Sequence, residues 1–169
     1  INIVYTPLNG TGNKPVQRIL KARGFTNVHI VEEQENPDPD FTTVGYPNPE
    51  YTEAFEYSIK LGNELGADIL IANDPDADRV ATMVRDADGE FVFIDGNKMG
   101  SLLVNYILSE RYRKQDLAEN AAIVKSVVTG DMTRAIAEKY NVAVFETLTG
   151  FKNICGKANE FEKTGDNVF

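Results

Sequence analysis

Short β-branched runs alternate along this chain with stretches of helical period, and the alternation predicts an α/β architecture. Residues 1–5 read as a strand, residues 6–13 as a breaker-rich loop containing Gly10 and Gly12. A helix follows, with Pro15 in its first turn and Val16, Ile19 and Leu20 on one face, ending before Gly24. Residues 28–31, including His29, form the next strand, so the opening is a βαβ unit with a right-handed crossover. Residues 34–49 are rich in Pro, Asp and Asn and predict a long irregular connection anchored by Phe41, Val44 and Tyr46. A helix then starts near Tyr51, carries Ala54, Phe55, Ser58, Ile59 and Leu65, and ends near Gly66. Residues 68–72 are a buried strand.

Residues 80–85 and 91–94 predict a hairpin turning on the D-A-D-G of residues 86–89. Asp95 is the expected N-cap of a helix whose apolar stripe is Met99, Leu102, Leu103, Tyr106 and Ile107. A charged, turn-prone segment at 111–120 leads to a strand at 121–127 and the loop Val128-Thr129-Gly130. Next come a helix capped by Asp131, with Met132, Ala135, Ile136 and Tyr140 inward, and a strand at 142–145. This second βαβ unit implies a second α/β domain, giving domains at 1–90 and 91–169. The chain starts with Ile1 inside one strand-like run and stops at Asn167, Val168 and Phe169 inside another, so both ends are expected to be cut.

Composition narrows the partners. A formal charge of −9 and a pI near 4.6 disfavour nucleic acid and anionic membrane surfaces. One cysteine, Cys155, allows no intrachain disulfide and fits a reducing, cytoplasmic setting; its expected place is the core. No apolar run reaches the length of a membrane span, and no signal-peptide layout opens the chain.

The candidate chemistry sits at residues 73–79, N-D-P-D-A-D-R, directly after the apolar run 69–72. In an extended segment Asp74, Asp76 and Asp78 would face one way, and Pro75 favours that conformation. Three converging like charges need water or a cation, and all-oxygen ligands suit Mg²⁺. A solvated turn is the alternative. An EF-hand is excluded, because its Gly and Glu positions hold Arg79 and Arg85. The Gly10–Gly12 loop lacks a P-loop's Lys-Ser/Thr and reads as a tight βα turn. His29 has nothing nearby in sequence to orient it and reads as an ordinary strand residue. A second loop, residues 147–152, T-L-T-G-F-K, offers hydroxyls, backbone and a cation to a phosphorylated or hydroxylated ligand; equally, Thr149 could simply cap the helix that follows.

Taken together, the opening N-I-V-Y-T-P-L-N-G-T-G, the P-N-P-E at 47–50, D-P-D-A-D-R, D-G-N-K-M-G at 95–100 and T-L-T-G-F-K resemble the α-D-phosphohexomutases, nearest the phosphoglucomutase branch. The resemblance spans essentially the whole chain and implies the second domain and most of the third domain of a four-domain enzyme. Both would be α/β/α sandwiches with mixed, mainly parallel sheets, the latter truncated. It implies Mg²⁺ on Asp74, Asp76 and Asp78, Arg79 beside the phosphate, and Thr149, Gly150 and Lys152 at the sugar. The implied reaction interconverts glucose 1-phosphate and glucose 6-phosphate through a phosphoserine and glucose 1,6-bisphosphate. The phosphoserine loop, the phosphate-binding fourth domain and a further sugar loop are absent from this chain, so it is expected to be inactive alone. Leu148, where mannose-accepting bacterial mutases often carry a basic residue, favours glucose over mannose or pentose substrates. Haloacid-dehalogenase-type phosphatases also place D-x-D after an apolar strand, but they expect Thr or Val where Asp78 stands and place the motif near the domain's start. A non-catalytic metal-binding module is the remaining alternative.

Overall fold

A computed structural model describes residues 1–166; the strand expected at Asn167, Val168 and Phe169 lies outside them. The chain divides into two compact units, Ile1–Gly96 and Asn97–Phe169.

The first unit is built on a mixed five-stranded sheet in the order β2-β1-β3-β4-β5. Its elements are β1 (Ile3–Thr6), α1 (Asn13–Ala22), β2 (Val28–Ile30), a short α2 (Glu32–Glu35), a 3₁₀ turn (Thr52–Phe55), α3 (Glu56–Leu65), β3 (Ile69–Asn73), β4 (Val80–Arg85) and β5 (Phe91–Ile94). β1 pairs parallel with both β2 and β3, and β4 runs antiparallel to β3 and β5. Because β5 completes this sheet, the units part at Gly96, six residues beyond the expected 90/91 boundary. Val4, Val31, Phe55, Leu70, Ala72 and Met83 form the core, with Phe91 and Phe93 packed on it. Gly66, in the left-handed region at φ 63°, ends α3 where the sequence predicted.

The irregular stretch is held by buried polar groups as much as by apolar ones. Thr6 donates through Oγ1 to Gln34 Oε1 at 2.6 Å, and the Asn9 amide donates to the Gln34 carbonyl at 2.8 Å. Val44 is buried against Leu8 and Ala54 with Phe41 beside it, but Tyr46 stands in solvent and packs edge-on against Tyr51.

The second unit contains α4 (Gly96–Arg113), β6 (Ala122–Ser126), α5 (Met132–Lys139), β7 (Ala143–Thr147) and α6 (Phe151–Thr164), with β6 and β7 parallel. Its core joins Leu108, Ala137 and Val142, with Val104, Ile123, Ile136, Tyr140 and Val144 packed on them. Here the helical stripes differ from expectation. On α4 the inward residues are Val104 and Leu108, one turn apart, while Leu102, Leu103, Tyr106 and Ile107 are exposed. Along α5 and at its end, Ile136 and Tyr140 pack inward as expected and Thr133 and Ala137 join them, but Met132 and Ala135 are exposed. Cys155 is exposed rather than in the core, since α6 buries Ala158 and Phe161 instead. Periodicity fixes a stripe's spacing; when apolar residues ring much of a helix, the packing partner selects the side.

Among the described residues no helix is long and apolar enough to cross a membrane.

Candidate functional site

In the order β2-β1-β3, the chain leaves β1 toward one side and returns to β3 on the other. That reversal is the topological switch point at which open α/β sheets bind ligands, outside the carboxyl ends of the strands. The acidic loop leaves β3 there. It is also the hairpin connection to β4, since Asn73 pairs with Val80 across it.

The three carboxylates converge by a route other than simple alternation. The Ala77 amide donates to the Asp74 carbonyl at 3.0 Å, and Ala77 takes a left-handed φ of 60°. A tight turn, not an extended strand, therefore brings the oxygens of Asp74, Asp76 and Asp78 within 4.8 Å of one another. Such an all-oxygen cluster could hold one hard divalent ion, and Mg²⁺ suits its chemistry.

Asp74 is fully buried. Its Oδ1 accepts from the Arg79 backbone amide at 2.9 Å and its Oδ2 from Arg79 Nε at 2.6 Å. Burial works to raise the Asp74 pKa, but these two bonds from Arg79, with one involving Asp78, outweigh it and hold the carboxyl below its usual range. Asp78 moves the opposite way, pushed up by its hydrogen bond with Asp74 and by the charge of Asp76. A cation among the three would relieve that repulsion.

The neighbouring β1 exit braces the loop. Thr11 donates both its amide (2.8 Å) and its hydroxyl (3.1 Å) to the Pro75 carbonyl. A Cβ at Gly10 would lie 2.4 Å from the Pro75 backbone, so this glycine exists for close approach. The Gly-rich loop thus serves as a βα turn packed on the acidic loop. Sequence reasoning missed Thr11, and also Tyr5 and Asn73: Tyr5 donates its hydroxyl to Asn73 Oδ1 at 3.3 Å, and Asn73 Nδ2 donates to the Arg79 carbonyl at 2.7 Å. Burial pushes the Tyr5 phenol up to about 12, so it remains a donor across the physiological range. The available signal was a polar residue closing an apolar strand. His29 sits away from all this, with Nε2 3.0 Å from Asn27 Oδ1.

In the second unit Thr149 and Gly150 lie between β7 and α6 and Lys152 in the first turn of α6, all exposed. Gly150, not Thr149, occupies the cap position, at φ 107° and ψ 141°. Its carbonyl accepts from the Asn153 and Ile154 amides, and Asn153 Nδ2 donates to the Thr149 carbonyl at 2.8 Å. The adjoining β6 exit is tied in by the Val127 amide, which donates to the Thr147 carbonyl at 2.9 Å. Beneath it lies a further missed residue, the buried Lys125, whose Nζ donates to the Thr129 carbonyl at 2.8 Å and pairs with Glu146 at 2.9 Å. Glu146 also pairs with Arg134 at 2.8 Å. Its carboxyl is held below the ordinary value by hydrogen bonds from Lys125 and Arg134. A lysine inside the apolar run 122–126 was the signal. Asp131, expected as a cap, makes no side-chain cap and instead lies 3.5 Å from Lys125.

Residues 1–89 match the family model of phosphoglucomutase/phosphomannomutase alpha/beta/alpha domain II, and residues 95–165 match that of domain III. The chain belongs to the phosphoglucomutase/phosphomannomutase family. A phosphoglucomutase of Staphylococcus epidermidis is 37% identical over 169 residues, all of this chain and 30% of the relative. One from Staphylococcus aureus is 36% identical over the same shares. A solved phosphoglucomutase/phosphomannomutase family protein from Burkholderia thailandensis shares the fold at a TM-score of 0.73, with 22% identity over 98% of this chain and 32% of that one. The chain therefore spans about 30% of the length of the curated relatives it matches. Mixed α/β units with mainly parallel pairing are the fold of both matched family domains.

Proposed function

We propose that this chain supplies the metal seat and a sugar-reading loop of a phosphoglucomutase that interconverts glucose 1-phosphate and glucose 6-phosphate. In this reading the first unit, through Gly96, acts as the family's domain II and the second as part of its domain III. The observation that carries the proposal is the convergence of Asp74, Asp76 and Asp78 at the switch point of the sheet. The 37% identity to a phosphoglucomutase supports glucose as the sugar.

Asp74, Asp76 and Asp78 would hold Mg²⁺. When bound, the ion neutralises charge on a transferring phosphoryl group. Arg79 keeps Asp74 ionised through Nε, and its half-exposed guanidinium faces solvent, where it would meet the phosphate. Thr149, Gly150 and Lys152 would contact the sugar through a hydroxyl, backbone and a cation. The phosphoryl group is exchanged with a phosphoserine outside this chain by way of glucose 1,6-bisphosphate, and cytoplasmic sugar metabolism is the setting. Alone, the chain is inactive.

Two measurements test this. Titration of Mn²⁺ or Mg²⁺ into the protein and into Asp76→Asn should show binding that the variant loses; equal heats would remove the metal seat. A coupled assay should detect no glucose 6-phosphate formed from glucose 1-phosphate by this chain, and turnover would refute its dependence on a serine elsewhere.

A further inference from the structure

The acidic loop contains a contradiction that some group must resolve. Three carboxylates lie within 4.8 Å of one another, and the turn that gathers them places Ala77 at a left-handed φ of 60°, a conformation that disfavours a non-glycine residue. Left to itself such a loop would splay. Two side chains oppose this by gripping the Arg79 backbone, one at its amide and the other at its carbonyl.

Asp74 accepts from the Arg79 amide at 2.9 Å, and Asn73 Nδ2 donates to the Arg79 carbonyl at 2.7 Å. The first grip uses a prospective metal ligand. The second uses a neutral residue immediately before it, buried and aimed by the Tyr5 hydroxyl on its Oδ1. Position 73 thus needs an acceptor facing Tyr5 and a donor facing Arg79 on one short, planar group. Asparagine meets both demands; aspartate would turn a carboxylate toward the Arg79 carbonyl, and an apolar residue would leave that carbonyl and the phenol without this partner. Tyr5 has little freedom to move aside, because Gly12 closes over its hydroxyl: a Cβ there would come within 2.8 Å of it.

We propose that Asn73 is the positioning residue of the acidic loop, oriented by Tyr5, and that it sets the spacing of Asp74 and Asp78 before any cation arrives. It ties the end of β3 to the end of the loop through a bond that involves no carboxylate. The bond therefore survives when the carboxylates are drawn toward an ion. Only the metal-affinity part of this inference rests on the function proposed above.

The test compares the wild-type chain, Asn73→Ala, Tyr5→Phe and the double variant, first without metal and then with Mn²⁺. Amide exchange is read at Ala77 and Arg79 in the loop and at Leu70 within β3. In Asn73→Ala the loop amides should exchange about tenfold faster and Mn²⁺ should bind about tenfold more weakly, the loss of roughly one good hydrogen bond. Leu70 should be unchanged, which a general loss of fold would not allow. Tyr5→Phe, which keeps the ring, should show a smaller change of the same kind, about threefold. The double variant should match Asn73→Ala, because Tyr5 acts through Asn73. Unchanged loop exchange in both single variants, or an Asn73→Ala affinity equal to wild type, would overturn the proposal. Should the wild type bind no Mn²⁺, the metal seat fails while loop exchange still decides the role of Asn73.

Discussion

The loop leaving β3 is gripped from below by Tyr5 and Asn73 and from the side by Thr11, whereas the loop leaving β7 keeps Leu148, Thr149 and Phe151 in solvent. Both follow a strand that pairs in parallel with a neighbour, and both lie beside that neighbour's exit loop. The difference follows from charge. Converging carboxylates repel each other, so the first loop holds its shape only where buried hydrogen bonds offset that repulsion. The second gathers no like charges; a single glycine and the first turn of α6 suffice to shape it. A loop that must hold charge together needs a scaffold, and one that offers hydroxyls and a cation to solvent does not.

This contrast can be broken most severely at Asp74. Asp74→Ala removes both bonds to Arg79 and leaves the turn unsupported. It should cost about 2–3 kcal/mol in urea unfolding, the range for losing charge-assisted hydrogen bonds, and abolish Mn²⁺ binding. Stability at the wild-type level would mean that the loop is held elsewhere. Next, Gly10→Ala drives a methyl into the Pro75 backbone and should cost about 1–3 kcal/mol. Gly150→Ala meets nothing closer than 4.0 Å, so its cost is backbone strain alone, about 1–3 kcal/mol at φ 107° and ψ 141°, a region nearly reserved for glycine. A Gly150→Ala loss well above about 3 kcal/mol would show that the second loop is packed as tightly as the first.

Acid titration sharpens the comparison within the second unit. Glu146 is held below its ordinary value of 4.5 by Lys125 and Arg134. The folded carboxyl thus binds its proton less readily than the unfolded one. Its stabilisation is fully present above about 4.5 and fades as pH falls through the lower folded value. Glu146→Gln should lower the melting temperature at neutral pH and flatten its decline below pH 4.5, as followed by circular dichroism. An unaltered acid limb would exclude Glu146 as a source of acid sensitivity. The smallest effects belong to Thr149→Ala and Lys152→Ala. Each should change stability by less than about 0.5 kcal/mol, because both residues are exposed. A larger loss would show that the loop is braced after all.

Much of the site was legible because its chemistry is local. Asp74, Asp76, Asp78 and Arg79 occupy one short stretch, and Pro75 and the preceding apolar run marked it as a strand exit. Its bracing was not legible, since Tyr5 and Thr11 lie more than sixty residues away in sequence from the groups they hold. Lys125 was hidden for a related reason: its partner Glu146 faces it only through the β6–β7 register. Among the helices, period and breakers located α1, α3 and α5, but on α4 Leu102, Leu103, Tyr106 and Ile107, which looked inward, are in solvent.

What the sequence determined by itself was the alternation of strands and helices, the position of the acidic loop and the identity of its three carboxylates. Each depends on neighbours within a few residues: period, turn formers and charge spacing. Tertiary structure alone decided which face of each helix is buried, that the acidic loop is a tight hairpin, and that Asn73 and Thr11 hold it. Those outcomes depend on which strands become neighbours, and pairing β1 with β3 is what brings Tyr5 and Thr11 against a loop encoded far along the chain.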